Sequence, residues 1–199
     1  MITAADLKNY DFQVYIDKSG SMGVKDCPGK KSRWEHAKEQ TEQFARVCEE
    51  FDDDGIDVGV FASRTKLYEG VTAAKVAQIF TENEPNGGTS TELAIQKAFD
   101  SYCDRGRTKP MIMVCITDGE PNDESEVAKT IINISKKLKD DSEFGILFVQ
   151  VGYDKSATAF LDRLDNNLSG AKFDIVSAVT CDDAEDMSIK ELLIKAIND

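Results

Sequence analysis

The segment Phe12-Gln13-Val14-Tyr15-Ile16-Asp17-Lys18-Ser19-Gly20-Ser21 decides the fold of this chain. Its first half, Phe12 to Ile16, is an apolar run typical of a strand that is buried on both faces. Its second half places one carboxylate and two hydroxyls at alternate positions just past the strand: Asp17, Ser19 and Ser21. Such a set of oxygen donors suits a hard divalent cation, Mg²⁺ before Ca²⁺. The segment therefore predicts a buried strand that ends at a metal site.

Outward from this strand, predicted strands and helices alternate to the end of the chain. The nearly continuous apolar run from Met111 to Thr117 is typical of a central parallel strand. The alternation predicts an α/β fold with a Rossmann-like, open, mostly parallel sheet and helices on both faces, and a single domain over residues 1–199. Further strands are predicted over 56–62, 65–68, 144–151 and 173–179, and helices over 33–51, 73–80, 91–102, 123–138, 157–164 and 188–197.

Polar residues mark several helix ends. Ser32 is predicted to cap the helix that starts at Arg33, with Glu35 completing a capping box. Asp123 is predicted to cap the helix that runs to residue 138, with Glu126 at the same spacing. The run 52–54 followed by Gly55 is predicted to end the first helix. His36, the one histidine, falls on the predicted polar side of that helix, so we expect it to be solvated.

Composition excludes several classes of function. The 199 residues carry a formal net charge of −13, which argues against nucleic acid and against anionic membranes as partners. No segment is long and apolar enough to span a membrane, and the start of the chain lacks the pattern of a secretion signal. The five cysteines are odd in number and irregularly spaced, so neither a disulfide framework nor a zinc cluster is expected. We expect a protein of the reducing cytoplasm.

Three segments place short oxygen side chains beside glycines at predicted loop positions. They are Asp17-x-Ser19-x-Ser21, Gly87-Gly88-Thr89 and Thr117-Asp118-Gly119. In an open parallel sheet, ligands bind outside the carboxyl ends of the strands. We therefore expect these three segments to meet at one edge of the sheet.

The three segments together resemble the von Willebrand factor type A (vWA) family over nearly the whole chain. The resemblance implies a metal-ion-dependent adhesion site formed by five residues: Asp17, Ser19, Ser21, Thr89 and Asp118. It implies Mg²⁺ as the ion, with Ca²⁺ and Mn²⁺ as open alternatives, and a coordination position that takes an Asp or Glu side chain from a partner protein. Neutral hydroxyl ligands leave the ion electrophilic, which is why a carboxylate from outside would bind it.

Other stretches are similar to one bacterial branch of this family, whose members are stand-alone vWA proteins. The strings Phe51 to Val58, Phe148 to Gly152 and Phe160 to Asp165 are similar to domains encoded in tellurium-resistance and stress-response clusters.

Several residues near these motifs have a second interpretation. Asp17, Ser19 and Ser21 alone could form a capped turn, and Thr89 could cap the following helix with Glu92 three residues later. A basic island follows the first motif. It is either a solvated loop or a patch that steers an acidic partner toward the metal; its members are Lys25, Lys30, Lys31 and Arg33.

Three functions are compatible with the sequence. The favoured one is a metal-dependent protein-binding module that is not an enzyme. The second is an Mg²⁺-dependent phosphoryl-transfer enzyme; haloacid dehalogenase-type enzymes, however, carry a second Asp where this chain has Ser19, and the chain has no Walker-type loop. The third is a structural scaffold in which the metal only stabilises the loops.

Overall fold

The structure, a computed structural model, describes residues 3–51 and 55–198. It confirms an α/β fold built on a mostly parallel sheet. Six strands pair in the order β3-β2-β1-β4-β5-β6, and only β2 and β3 are antiparallel. The strands are β1 Asp11–Asp17, β2 Ile56–Phe61, β3 Thr65–Val71, β4 Met111–Thr117, β5 Phe144–Gln150 and β6 Val176–Val179.

Helices cover both faces of the sheet, because alternate side chains of the buried strands point to opposite sides. On one face, Val14 and Ile16 of β1 belong to a core shared with the first two helices and the last; on the other, Tyr15 packs among the third, fourth and fifth. The helices are α1 Arg33–Cys48, α2 Ala73–Glu82, α3 Thr91–Asp104, α4 Glu124–Lys137, α5 Lys155–Asn166, α6 Cys181–Asp186 and α7 Ile189–Asn198.

One glycine lets neighbouring strands accommodate a large side chain. A Cβ at Gly59 on β2 would lie 2.4 Å from the ring of Tyr15 on the neighbouring strand. The fully buried Tyr15 ring therefore occupies the space that any larger residue at position 59 would need.

The boundaries differ from prediction at several ends. The helix α1 ends at Cys48 rather than at Phe51, because Glu50 and Phe51 instead bond to the carbonyls of Val47 and Cys48 in a tighter turn. The strand β3 is longer than predicted, and β6 is shorter. The predicted end of α1 at residues 52–54 lies outside the described residues.

The short helix α6 was not predicted. Its N-cap is Thr180, whose side chain accepts a hydrogen bond from the Asp183 backbone N–H while its hydroxyl bonds the Asp183 carboxylate at 2.7 Å. This pairing is the sequence signal that identifies the helix.

Within the described part of the chain, no helix combines the length and the apolar character that crossing a bilayer requires.

Candidate metal centre

The candidate site lies where the order of the strands reverses. The central strand β1 pairs with β2 on one side and with β4 on the other, so the chain runs outward from β1 in both directions. Asp17 is the last residue of β1, and Asp118 directly follows β4. Crevices at such a reversal, outside the carboxyl ends of the strands, are the usual ligand sites of open α/β sheets.

Asp17 is a fully buried carboxylate with hydrogen bonds to both oxygens. Its Oδ1 accepts from the Ser19 backbone N–H at 2.7 Å, and its Oδ2 accepts from the Thr117 hydroxyl at 2.7 Å. Burial and the nearby charge of Asp118 raise its pKa to about 7, although these two hydrogen bonds act in the opposite direction. Among the described residues, no lysine or arginine forms an ion pair with it.

Ser19 and Ser21 present adjacent hydroxyls beside this carboxylate. A short 3₁₀ turn, Gly20–Gly23, follows Ser19 and brings the two Oγ atoms to 3.1 Å from each other. Ser19 is buried, whereas Ser21 is partly exposed. The first predicted motif is therefore folded as one compact cluster of oxygen atoms.

The loop that carries Thr89 is tied to both other segments. Gly20 N–H donates to the Gly87 carbonyl at 3.1 Å, which joins this loop to the first motif. Asn122 joins it to the third: its Oδ1 accepts from Thr89 N–H at 3.0 Å, and its own N–H donates to the Thr89 carbonyl at 2.8 Å. Ser90, not Thr89, is the N-cap of α3, so the alternative role of Thr89 as that cap is wrong.

Gly88 is required for the contact with Asn122. A Cβ at position 88 would lie 2.8 Å from the Asn122 side-chain oxygen. Asn122 was not among the predicted site residues, and its signal in the sequence is only its place in the loop after Asp118.

Asp118 is fully buried and pairs with a buried arginine. Arg33 Nη1 donates to Asp118 Oδ2 at 3.0 Å, while Nε and Nη2 of the same guanidinium grip Asp26 at 2.8 to 3.2 Å. These contacts, led by the hydrogen bond to Asp26, raise the pKa of Arg33. The guanidinium lies against Gly152, where a Cβ would meet Nε at 2.4 Å.

The position of Arg33 corrects the prediction of a basic island. Arg33 is only 7% exposed, so it belongs to the site rather than to a surface patch. Lys31 pairs with Glu39 at 2.6 Å, which leaves Lys25 and Lys30 as the exposed cations of the four. Arg33 occupies the first position of α1, next to the buried face of that helix, and this position is the feature of the sequence that could have indicated its burial.

His36 is a second correction. It is buried, with its Nε2 4.0 Å from Cys181 Sγ and 3.3 Å from Gln40 Nε2. The buried face of α1 is wider than its apolar stripe, since Arg33, His36 and Gln40 are buried as well. The predicted helix cap at Asp123, in contrast, is confirmed: its side chain accepts from Ser125 and Glu126 N–H groups.

The donor set fits a hard divalent cation. Two fully buried carboxylates, Asp17 and Asp118, lie close enough for the charge of one to raise the pKa of the other, and Arg33 neutralises only Asp118. Burying an unpaired charge is costly, so the oxygens of Asp17 and its neighbouring hydroxyls are a place where a cation would be stabilised.

Solved structures resemble this fold at low sequence identity. Manganese-loaded TRAP protein from Plasmodium vivax is 16% identical with a TM-score of 0.62, covering 98% of this chain and 75% of that one. A variant of the PilB minor pilin from Streptococcus sanguinis is 13% identical (TM-score 0.65), and a von Willebrand factor type A protein from Catenulispora acidiphila is 18% identical (TM-score 0.60). They cover 96% and 94% of this chain, which spans 60% and 43% of their lengths.

A comparison with curated protein sequences gave no significant match. A family model, however, matches residues 11–198; it describes the vWA domain found in the C terminus of TerF. This match covers almost the whole chain and agrees with the sheet and its helices. The chain therefore belongs to the TerF-like branch of the von Willebrand factor type A domains.

Proposed function

We propose that this chain captures a partner protein through a divalent cation, Mg²⁺ in the first place, held by Asp17, Ser19, Ser21, Thr89 and Asp118. Domains of the vWA family are generally interaction modules and not enzymes, and metal-dependent adhesion is common among them. A carboxylate from the partner, Asp or Glu, would complete the coordination of the ion.

The observation that carries the proposal is the fully buried Asp17 carboxylate beside the paired hydroxyls of Ser19 and Ser21. A binding protein has no need of a general acid or base here, but it does need an ion that stays electrophilic. Neutral hydroxyls supply ligand oxygens without adding charge, so a third carboxylate from outside would still gain by binding.

The ligand set would combine buried and exposed groups. Asp17 and Asp118 would balance the charge of the ion, directly or through water that Mg²⁺ retains, and Thr89 would contribute from the second loop. Lys25 and Lys30, exposed on the loop that follows Ser21, would attract an acidic partner at long range.

The family suggests where the protein acts. Membership in the TerF-like branch supports a role in tellurium resistance or a related stress response. No disulfide joins cysteines among the described residues, which supports a reducing, cytoplasmic environment.

The test begins with the metal alone. Calorimetric titration of EDTA-stripped protein with Mg²⁺ should show one site in the wild type, and none in Asp118→Asn or Ser19→Ala. Asp123→Asn is the matched control, because it removes a carboxylate from the same loop while asparagine still caps α4. With Mg²⁺ at 100 times its Kd, the wild type should gain about 2.7 kcal/mol of stability.

The second step tests partner capture. Proteins captured from a cell extract in Mg²⁺ should be lost in EDTA and with Asp118→Asn, but kept with Asp123→Asn. Replacing the acidic residues of a captured partner one at a time should identify a single Asp or Glu that is required. Capture that persists in EDTA and with Asp118→Asn would refute the proposal.

A further inference from the structure

A second cluster of side chains that could hold a metal ion includes a residue one turn along α1 from Arg33. It joins α1 to α6: His36 comes from the first helix, and Cys181 and Glu185 from the second. One ligand atom from each of these three residues lies within 4.8 Å of the others, and Cys181 Sγ is 4.0 Å from His36 Nε2. The i,i+4 spacing of Cys181 and Glu185 places both on one face of α6.

A fourth ligand approaches from the loop that precedes α1. The Cys27 thiol lies close enough to Cys181 for the two groups to interact electrostatically, and both thiols are buried, at 3% and 1% exposure. Cys27 is not one of the three residues whose atoms all lie within 4.8 Å of one another, so it would have to move closer to serve as a ligand. The cluster therefore gathers two thiols, one imidazole and one carboxylate from three separate segments.

The hydrogen bonds around His36 are incomplete. Gln40 Nε2 lies 3.3 Å from His36 Nε2, while the buried Oε1 of Gln40 has no partner among the described residues. Buried polar atoms in proteins are rarely unpaired, and those that are unpaired often lie next to the site of a bound ion or water. This observation is independent of the two thiols and concerns the residue next to His36.

We propose that Cys27, His36, Cys181 and Glu185 form a tetrahedral zinc site. Ligand atoms around Zn²⁺ lie about 3.5 Å apart, because Zn–S and Zn–N bonds measure about 2.3 and 2.1 Å. The observed 4.0 Å between Cys181 Sγ and His36 Nε2 needs only a small contraction. Thiolate and imidazole ligands favour Zn²⁺ over Mg²⁺, whereas the oxygen set at Asp17 favours Mg²⁺, so the two sites would select different ions.

The zinc site would hold the loop that supports Asp118. Cys27 directly follows Asp26, which is paired with Arg33, and Arg33 in turn is paired with Asp118. Fixing Cys27 to α1 and α6 would therefore fix Asp26. This role lies beyond the binding function proposed above and does not depend on it.

The test measures zinc in the full chain, equilibrated with Zn²⁺ under reducing conditions and then desalted in excess Mg²⁺. We expect one zinc per chain by mass spectrometry. Cys181→Ser and His36→Gln should weaken zinc binding at least about tenfold. Cys103→Ser, which removes an exposed thiol outside the cluster, and Asp118→Asn, which removes a proposed Mg²⁺ ligand, should both retain zinc.

A measurement on the wild type alone covers the case in which these variants do not fold. Zn²⁺ should protect Cys27 and Cys181 from alkylation but leave Cys103 reactive, and Co²⁺ should give thiolate-to-metal charge-transfer absorption. A chain that binds no zinc would overturn the proposal. Zinc retained by a folded Cys181→Ser variant would also overturn it. So would a Cys27–Cys181 disulfide that persists under reducing conditions in place of the metal.

Discussion

Replacing Asp17 with asparagine is expected to stabilise the EDTA-treated protein. The carboxylate is 0% exposed, and burial followed by the charge of Asp118 raises its pKa from 3.8 to about 7. Each pKa unit corresponds to about 1.4 kcal/mol, so keeping Asp17 ionised costs the fold up to about 4 kcal/mol above pH 7. Asparagine removes the charge and keeps the shape of the side chain.

Part of this gain is offset by weaker hydrogen bonds. Ser19 N–H and the Thr117 hydroxyl donate to different oxygens of Asp17, whereas asparagine has only one acceptor oxygen. The bond to that oxygen is weaker than one to a carboxylate, and the other donor faces the Nδ2 group, so the two changes together cost about 2 kcal/mol. The net expectation is about 1–3 kcal/mol at pH 8, or a rise in Tm of roughly 3–10 °C for a chain of this size. Thermal unfolding in EDTA measures it.

The sign of the pH dependence follows from the direction of the shift. The folded-state pKa of Asp17 lies above the unfolded one, so the folded protein binds this proton more tightly. The cost of ionisation is absent below about pH 4, grows as the pH rises towards 7 and is complete above it. The advantage of Asp17→Asn should therefore be largest at pH 8 and should vanish near pH 4.

Asp118→Asn is the matched comparison, and it should act in the opposite direction. Asp118 is equally buried, but Arg33 donates to it at 3.0 Å, so its neutralisation weakens an existing ion pair. We expect a loss of about 1–3 kcal/mol, because Arg33 keeps its contacts with Asp26. If Asp17→Asn were less stable than the wild type in EDTA at pH 8, the reasoning would be refuted.

Three further changes test other parts of the structure. Gly152→Ala places a Cβ 2.4 Å from Arg33 Nε at a φ of +79°, so it should lower the free energy of unfolding in urea by about 2 kcal/mol or more. Gly29→Ala is the control: its φ is +73°, but no atom lies nearer than 3.7 Å, so it should cost about 1 kcal/mol. Equal losses would contradict the packing argument. Ser32→Ala should cost about 1 kcal/mol of stability, because it removes the hydrogen bond from Glu35 N–H to the N-cap side chain of α1. Thr72 is the N-cap of α2, but its side chain makes no such bond, so Thr72→Ala should be near neutral by the same assay. Phe148 is 1% exposed in the core, so Phe148→Ala should cost about 3–5 kcal/mol of stability. Leu93 is 49% exposed, so Leu93→Ala should cost less than about 0.5 kcal/mol. A small loss at Phe148 would show that its surroundings collapse into the cavity.

The sheet was predictable because its strands are buried on both faces. Runs such as Phe12 to Ile16 and Met111 to Thr117 can satisfy their apolar side chains only between two layers of helices. The antiparallel pairing of β3 with β2 was not predictable from its half-exposed sequence, and the short β6 lost its first predicted residues to a loop.

The candidate site was only partly predictable, because its support comes from residues with no motif of their own. Asp17, Ser19 and Asp118 stand at strand ends, where topology fixes their place. Arg33 and Asn122, in contrast, reach the site through side-chain bonds to Asp118 and to the backbone of Thr89, and a linear pattern does not encode such contacts. His36 was assigned to the wrong face for the same reason, since its buried neighbour Cys181 lies 145 residues away.

The hydrogen bond between Asp17 and Thr117 joins residues 100 positions apart. It lies at the end of the β1–β4 pair, which forms only when two distant segments of the chain are brought together. Closing so long a loop is entropically unfavourable, and parallel pairing between distant segments is slow for that reason. A partially folded chain would therefore carry every candidate ligand residue and still lack the candidate site, so that binding of a cation there would report completion of folding at the centre of the sheet.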